Sequence, residues 1–229
     1  MKLKPKHKMK HVVFTVIFLT SLWVLPMPKM NKFPVFHDMI EIQTASADEK
    51  DGILGQMAPE LDLNTWIDEN GKETESINLK DYRGKIVYLY FFQDWWPGCH
   101  QLGFPTLKNL VEVFKDKDEI KFIAVQTVFE GYKSNTKEKL RENQLKYSLK
   151  IPMAHDAGNT DTDEIPETMN KYRSGGTPWT VIIDSSGKVV YNDFHIKDAQ
   201  AVSLIEQLIA KLNWYHGLYK IIGGFLYET

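Results

Sequence analysis

Apolar positions along the chain fall into three kinds of pattern. "KIVYLYFFQ", residues 85–93, is β-branched or aromatic almost throughout, which predicts a strand buried on both faces and central to a sheet. "IKFIAVQTV", residues 120–128, predicts a second buried strand, and between them Leu107, Leu110, Val111 and Phe114 recur at helical spacing. Strand, helix, strand implies a right-handed crossover and parallel pairing. Downstream, "TKEKLRENQLKYSL" predicts a helix, "IPMAHD" a short strand and "IPETMNKY" a short helix. "TPWTVIID" and "KVVYNDFHI", joined through Ser-Ser-Gly, predict an antiparallel hairpin. A last helix places Val202, Ile205, Leu208, Ile209 and Leu212 on one face. Upstream, "LDLNTWIDENGKE" predicts two short extended runs around an Asn-Gly turn. The fold class is therefore α/β, with a central mixed sheet flanked by helices and an N-terminal extended or hairpin addition. The final stretch, residues 213–229, shows no clear period and receives no element.

The first 47 residues have another character. Five of the first ten residues are lysines, an apolar run covers residues 12–25, and Ala45-Ser46-Ala47 supplies small residues ahead of an acidic stretch. This is the layout of a secretory signal, although some twenty residues separate the apolar run from Ala47. A retained membrane anchor is the rival reading, at 14 apolar residues against the roughly 20 a spanning helix needs. A core helix is the third. Both leading readings put the body outside the cytoplasm, because the lysine-rich end stays inside. The expected organisation is a signal or anchor with spacer (1–47), a linker (48–54), one globular domain (55–212) and a tail (213–229).

Charge and cysteine count narrow the classes. Residues 1–47 hold seven lysines and two acids, leaving 21 basic and 28 acidic residues beyond them, a balance of −7. An acidic body offers phosphate backbones no counter-charge, so nucleic acid is not an expected partner. Cys99 is the single cysteine, and no internal disulfide can form. His155 and His195 lack metal-ligand spacing, and "DAGNTDTDE" lacks the spacing of a calcium loop, so neither a metal nor a cofactor is expected.

Chemistry concentrates in "FFQDWWPGCHQLGFP", where a strand runs through a Pro-Gly turn into a helix that opens on Cys99. This run lines up with the F-W-x-x-W-C-P-x-C-x-x-x-x-P run of exported thioredoxin-like disulfide reductases of the TlpA/ResA type. "GGTPWTVIID" lines up with their G-x-x-x-P-x-x-x-x-I-D run. Over roughly residues 55–212 the chain resembles this branch of the redoxin/AhpC-TSA family. The resemblance implies a thioredoxin fold and a protein or small-molecule thiol or disulfide as partner, with no cofactor. It places Cys99 on the second, resolving cysteine, Pro178 on a cis-proline beside it, and Trp96 on the attacking cysteine. Trp95, Pro97, Gly98, His100, Thr177 and Trp179 fall around the groove. Pro105 comes one residue later than the family run, which predicts a displaced helix start.

Without an attacking thiol the two-electron cycle of C-x-x-C chemistry cannot run. Three readings stand: a single-thiol site, an inert cysteine in a degenerate site, or a UGA codon at position 96 that encodes selenocysteine and was rendered as tryptophan. His100 either turns toward the thiol or is solvated. The peroxidatic pattern P-x-x-x-[TS]-x-x-C fails, since Phe92 and Trp96 occupy its proline and hydroxyl places. The sequence fixes neither substrate, electron donor nor oligomeric state.

Overall fold

The computed structural model describes residues 52–158 and 165–226, with side chains of the last helix through residue 218. The signal or anchor expected at 1–47 and most of the acid-rich loop at 159–164 lie outside the described residues. Seven strands form one sheet: β1 (Thr65–Ile67), β2 (Glu73–Thr74), β3 (Ile86–Phe92), β4 (Ile120–Thr127), β5 (Met153–Asp156), β6 (Trp179–Ile183) and β7 (Val189–Phe194). Their order is β2-β1-β5-β4-β3-β6-β7. β3, β4 and β5 pair in parallel, while β6 and β7 complete one side antiparallel. The β1–β2 hairpin adds antiparallel to β5, so the expected N-terminal addition lengthens the sheet rather than standing apart from it.

The all-apolar β3 is explained by its two faces. Ile86, Tyr88, Tyr90 and Phe92 enter one core with Phe104, Leu107, Leu110 and Ile205, whereas Val87, Leu89 and Phe91 enter a second with Leu61, Trp66, Tyr172 and Trp179. Successive strand residues point to opposite faces, and here both faces are covered. The first core is roofed by α1 (Phe104–Val113) and α4 (Asp198–Leu226) and includes Leu140 of α2 (Glu138–Lys146). Tyr172 of α3 (Glu167–Tyr172) packs into the second.

Two helices differ from expectation. The segment after β3 is helical from residue 97, but Cys99–Gly103 form a π-helical turn before α1 begins. The Phe104 N–H donates to the Cys99 carbonyl, five residues back instead of four. A π turn accommodates one additional residue inside a helix, and this is where the chain absorbs the late Pro105. The other is α4, which continues without a break through the stretch 213–226 that carried no assignment.

Candidate functional site

β3 delivers the chain to the site and the first helical turn fixes it. Gln93 follows the last strand residue, and its backbone N–H donates to the Cys99 sulfur at 3.4 Å. The Cys99 N–H closes onto the Trp96 carbonyl at 3.1 Å, setting Trp96 at the helix entrance and Pro97, which has no N–H to lose, at the first helical position. Cys99 is fully buried. The Thr177-Pro178 bond is cis, the Thr177 hydroxyl bears on the Cys99 thiol, and a Cβ on Gly98 would stand 3.6 Å from the Pro178 ring. Segments nearly eighty residues apart thus meet at one sulfur.

Opposing influences act on that thiol. Burial pushes it up from its ordinary value and is the largest influence; the Gln93 N–H and the nearby Thr177 and Tyr90 hydroxyls pull the other way without cancelling it. A position in the first turn of a helix favours thiolate, yet with the sulfur out of water desolvation prevails. Tyr90 deserves its place here through geometry: its hydroxyl donates to the Cys99 carbonyl at 3.1 Å and occupies the space a side chain at Gly103 would need.

Above the sulfur the surface is aromatic. Trp95, Trp96 and Pro97 are exposed, and the two indoles meet edge to face at 5.4 Å. Trp96 folds back over Gly98, where an added Cβ would come within 2.8 Å of its Nε1. Trp95 lies against the Gly131 backbone and donates to the Gln93 side chain at 3.4 Å. Trp179 departs from expectation. It is 3% exposed, packs in the second core and donates to Asn192 Oδ1 at 2.5 Å, because the residue after Pro178 opens β6 with its side chain turned inward. It does not line the groove.

His100 follows neither expected reading. Its Nε2 lies 2.5 Å from the Asp94 carbonyl, which can only accept, so in the neutral ring Nδ1 accepts from the Tyr147 hydroxyl at 2.7 Å. The ring is half-buried and stacks on Phe104 and Tyr147. Both nitrogens are used in holding the loop after β3. His155 is likewise engaged, with Gln126 at 3.2 Å.

A match to the AhpC/TSA family covers residues 54–192. The chain belongs to the AhpC/TSA family. Among the relatives of this AhpC/TSA protein is the thiol-disulfide oxidoreductase ResA of Geobacillus thermodenitrificans, 28% identical over 184 residues, covering 80% of this chain and 87% of the relative. The peroxiredoxin Bcp of Bacillus subtilis is 26% identical, covering 69% and 98%. A solved thiol-disulfide isomerase from Corynebacterium glutamicum aligns at 30% identity and a TM-score of 0.57, covering 66% of this chain and 96% of its own. A thioredoxin-like superfamily protein aligns at 27% and 0.59, covering 66% and 95%. The thioredoxin fold and the family read from the two sequence runs are both upheld.

Several residues that organise this AhpC/TSA site carried no sequence signal. Asn135 is buried in the loop before α2; its side-chain oxygen accepts the Asp94 N–H at 2.6 Å, and its amide donates to the Glu130 and Gly131 carbonyls. Asp94 in turn accepts from Asn143 at 2.8 Å. Clefts of about 770 Å³ open elsewhere, one lined by Asp62, His155 and Glu167 and another by Val111, Phe122 and Ile151, and neither touches Cys99. The candidate site is a buried sulfur beneath an exposed aromatic surface.

Proposed function

We propose that this chain is an extracytoplasmic thioredoxin-like protein of the thiol-disulfide oxidoreductase type, with altered, single-thiol chemistry centred on Cys99. The observation that carries this reading is the pairing of an exposed position 96 at the helix entrance with a buried sulfur at 99 beside Thr177-Pro178. Disulfide exchange divides its work between such positions: an exposed group attacks and a buried, protonated thiol resolves. With an indole at 96 the resolving half is alone. A partner disulfide R–S–S–R′ that reaches Cys99 is attacked by its thiolate, forming Cys99–S–S–R and releasing R′S⁻; a small-molecule thiolate G–S⁻ then attacks the R sulfur, forming G–S–S–R and returning the Cys99 thiolate. Trp96 must lift for this to occur, so turnover is slow. Extracytoplasmic placement, by a cleaved signal or by attachment through residues 12–25, rests on the lysine-rich start and apolar run, and fractionation followed by immunoblotting tests it.

Reduction of insulin or a small aromatic disulfide by the purified protein with excess glutathione as the thiol tests the chemistry, read as the rate above glutathione alone. Slow turnover that disappears in Cys99→Ser supports it. Equal partner binding by wild type and Cys99→Ser without turnover replaces it with a redox-inactive binding module using the same groove. A second reading draws on the same geometry: every element of the exchange site except the attacking atom is present, so selenocysteine at position 96 would complete it. The nucleotide sequence decides between them, since UGG at codon 96 excludes selenocysteine and UGA supports it.

A further inference from the structure

α4 outruns the body it packs on. Ile205, Leu208, Ile209 and Leu212 are buried, but every residue from 213 to 218 is exposed, including Trp214 at 62%, Tyr215 at 44% and Leu218 at 38%. The helix nevertheless runs to Leu226. At about 100° per residue, positions 214, 215, 218, 221, 222 and 225 fall within an arc of roughly 120°. These are Trp, Tyr, Leu, Ile, Ile and Phe, and the opposite side takes His216, Gly217, Lys220, Gly223 and Gly224. The centre of the arc is turned by roughly 120° from the buried stripe, while Tyr219 and Leu226 fall on the stripe's own bearing, so the apolar surface of the last turns widens away from the core face.

We propose that residues 213–226 lie along the surface of a membrane carrying anionic headgroups, with this face in the interfacial layer. Trp and Tyr are the residues that favour the boundary between hydrocarbon and water, and they stand where the helix leaves the body. Charge agrees: between Glu206 and Glu228 there is no acid, and Lys211 and Lys220 are the charges, in a body that is otherwise acidic. Length agrees as well. Fourteen residues of helix extend about 21 Å, short of the roughly 30 Å hydrocarbon core. Among the described residues no helix is long and apolar enough to cross a membrane, so this one lies on the surface instead of spanning it.

The test uses the full chain with Leu218→Cys in a Cys99→Ser background, labelled at position 218 with a polarity-sensitive fluorophore. Vesicles are phosphatidylcholine alone or mixed with phosphatidylglycerol. Emission should shift to the blue on the mixed vesicles, less on phosphatidylcholine alone, and Ile221→Glu with Ile222→Glu should reduce the shift at least tenfold while helix content in solution is kept. Co-sedimentation with either vesicle while the label reports water overturns the proposal, because the chain is then held only by its N-terminus. A blue shift without vesicles that rises with protein concentration overturns it in favour of a second copy of the chain.

Discussion

The same substitution, glycine to alanine, should be costly at one and nearly neutral at the other of two positions five residues apart. Both Gly98 and Gly103 have ordinary right-handed helical backbone, so the difference lies in what the new methyl meets. At Gly103 it would stand 2.1 Å from the Tyr90 hydroxyl and 2.5 and 2.6 Å from ring carbons. The Tyr90 ring cannot retreat, since it is 1% exposed, edge-on to Phe104 at 5.2 Å and stacked on Phe92 at 5.8 Å. Overpacking costs about 1–3 kcal/mol, and displacing the hydroxyl from the Cys99 carbonyl costs about 1–3 kcal/mol more. Removing a helical glycine returns about 0.5–1 kcal/mol. A net loss of roughly 1–5 kcal/mol lowers Tm by roughly 2–20 °C in a domain of this size. At Gly98 the methyl meets the Trp96 indole at 2.8 Å, and that indole is 40% exposed and free to swing outward. Gly98→Ala should change stability by no more than about 0.5 kcal/mol while speeding alkylation of Cys99 in the native state. Urea and thermal unfolding of both variants provide the measurement. In Tyr90→Phe/Gly103→Ala only part of the loss should return, because ring carbon remains at 2.5 Å. Equal stability of the two single variants would refute the packing argument.

Other consequences follow from the thiol and its supports. Because burial raises the Cys99 thiol, the folded chain keeps its proton to higher pH than the unfolded chain. That stabilisation is complete below the ordinary value of 9.0 and is lost as pH climbs through the raised one, so wild type should weaken more steeply above pH 9 than Cys99→Ala when urea midpoints are compared across this range. Asn135→Ala strips the Asp94 N–H of its acceptor and should cost about 1–3 kcal/mol, with faster amide exchange at residues 93–96 as the check. His100→Ala should leave the pH at which Cys99 alkylation rises unchanged, since neither ring nitrogen pairs with the sulfur; a shifted iodoacetamide pH profile would contradict the hydrogen-bond assignment.

What was legible in the sequence is what local pattern determines. β3 could be read because both its faces are buried, and an unbroken β-branched and aromatic run means little else. Cys99 and Pro178 could be paired because each sits in a run whose spacing matches a known family. The misreadings arise where position depends on three-dimensional neighbours. Trp179 looked like groove wall by adjacency to Pro178, but strand alternation turns it into the core. His100 looked free or thiol-directed because its partners, the Asp94 carbonyl and Tyr147, are named only by the fold. Tyr90 lies within a strand run that gives no hint of its bond to the Cys99 carbonyl, and Asn135 precedes the stretch that predicts α2, in residues that received no element. The helix beyond Leu212 was hidden because its apolar positions rotate away from the preceding stripe and are interrupted by glycines.

The central claim is that a dithiol exchange scaffold survives here with its attacking group replaced by an indole, and Trp96→Cys tests it most directly. Position 96 is exposed at the helix entrance, so the substitution should leave the fold intact. The variant should reduce insulin disulfides about tenfold faster than wild type or more, and adding Cys99→Ser should stop turnover and accumulate a mixed disulfide at position 96. A folded Trp96→Cys protein with no gain over wild type would contradict the account.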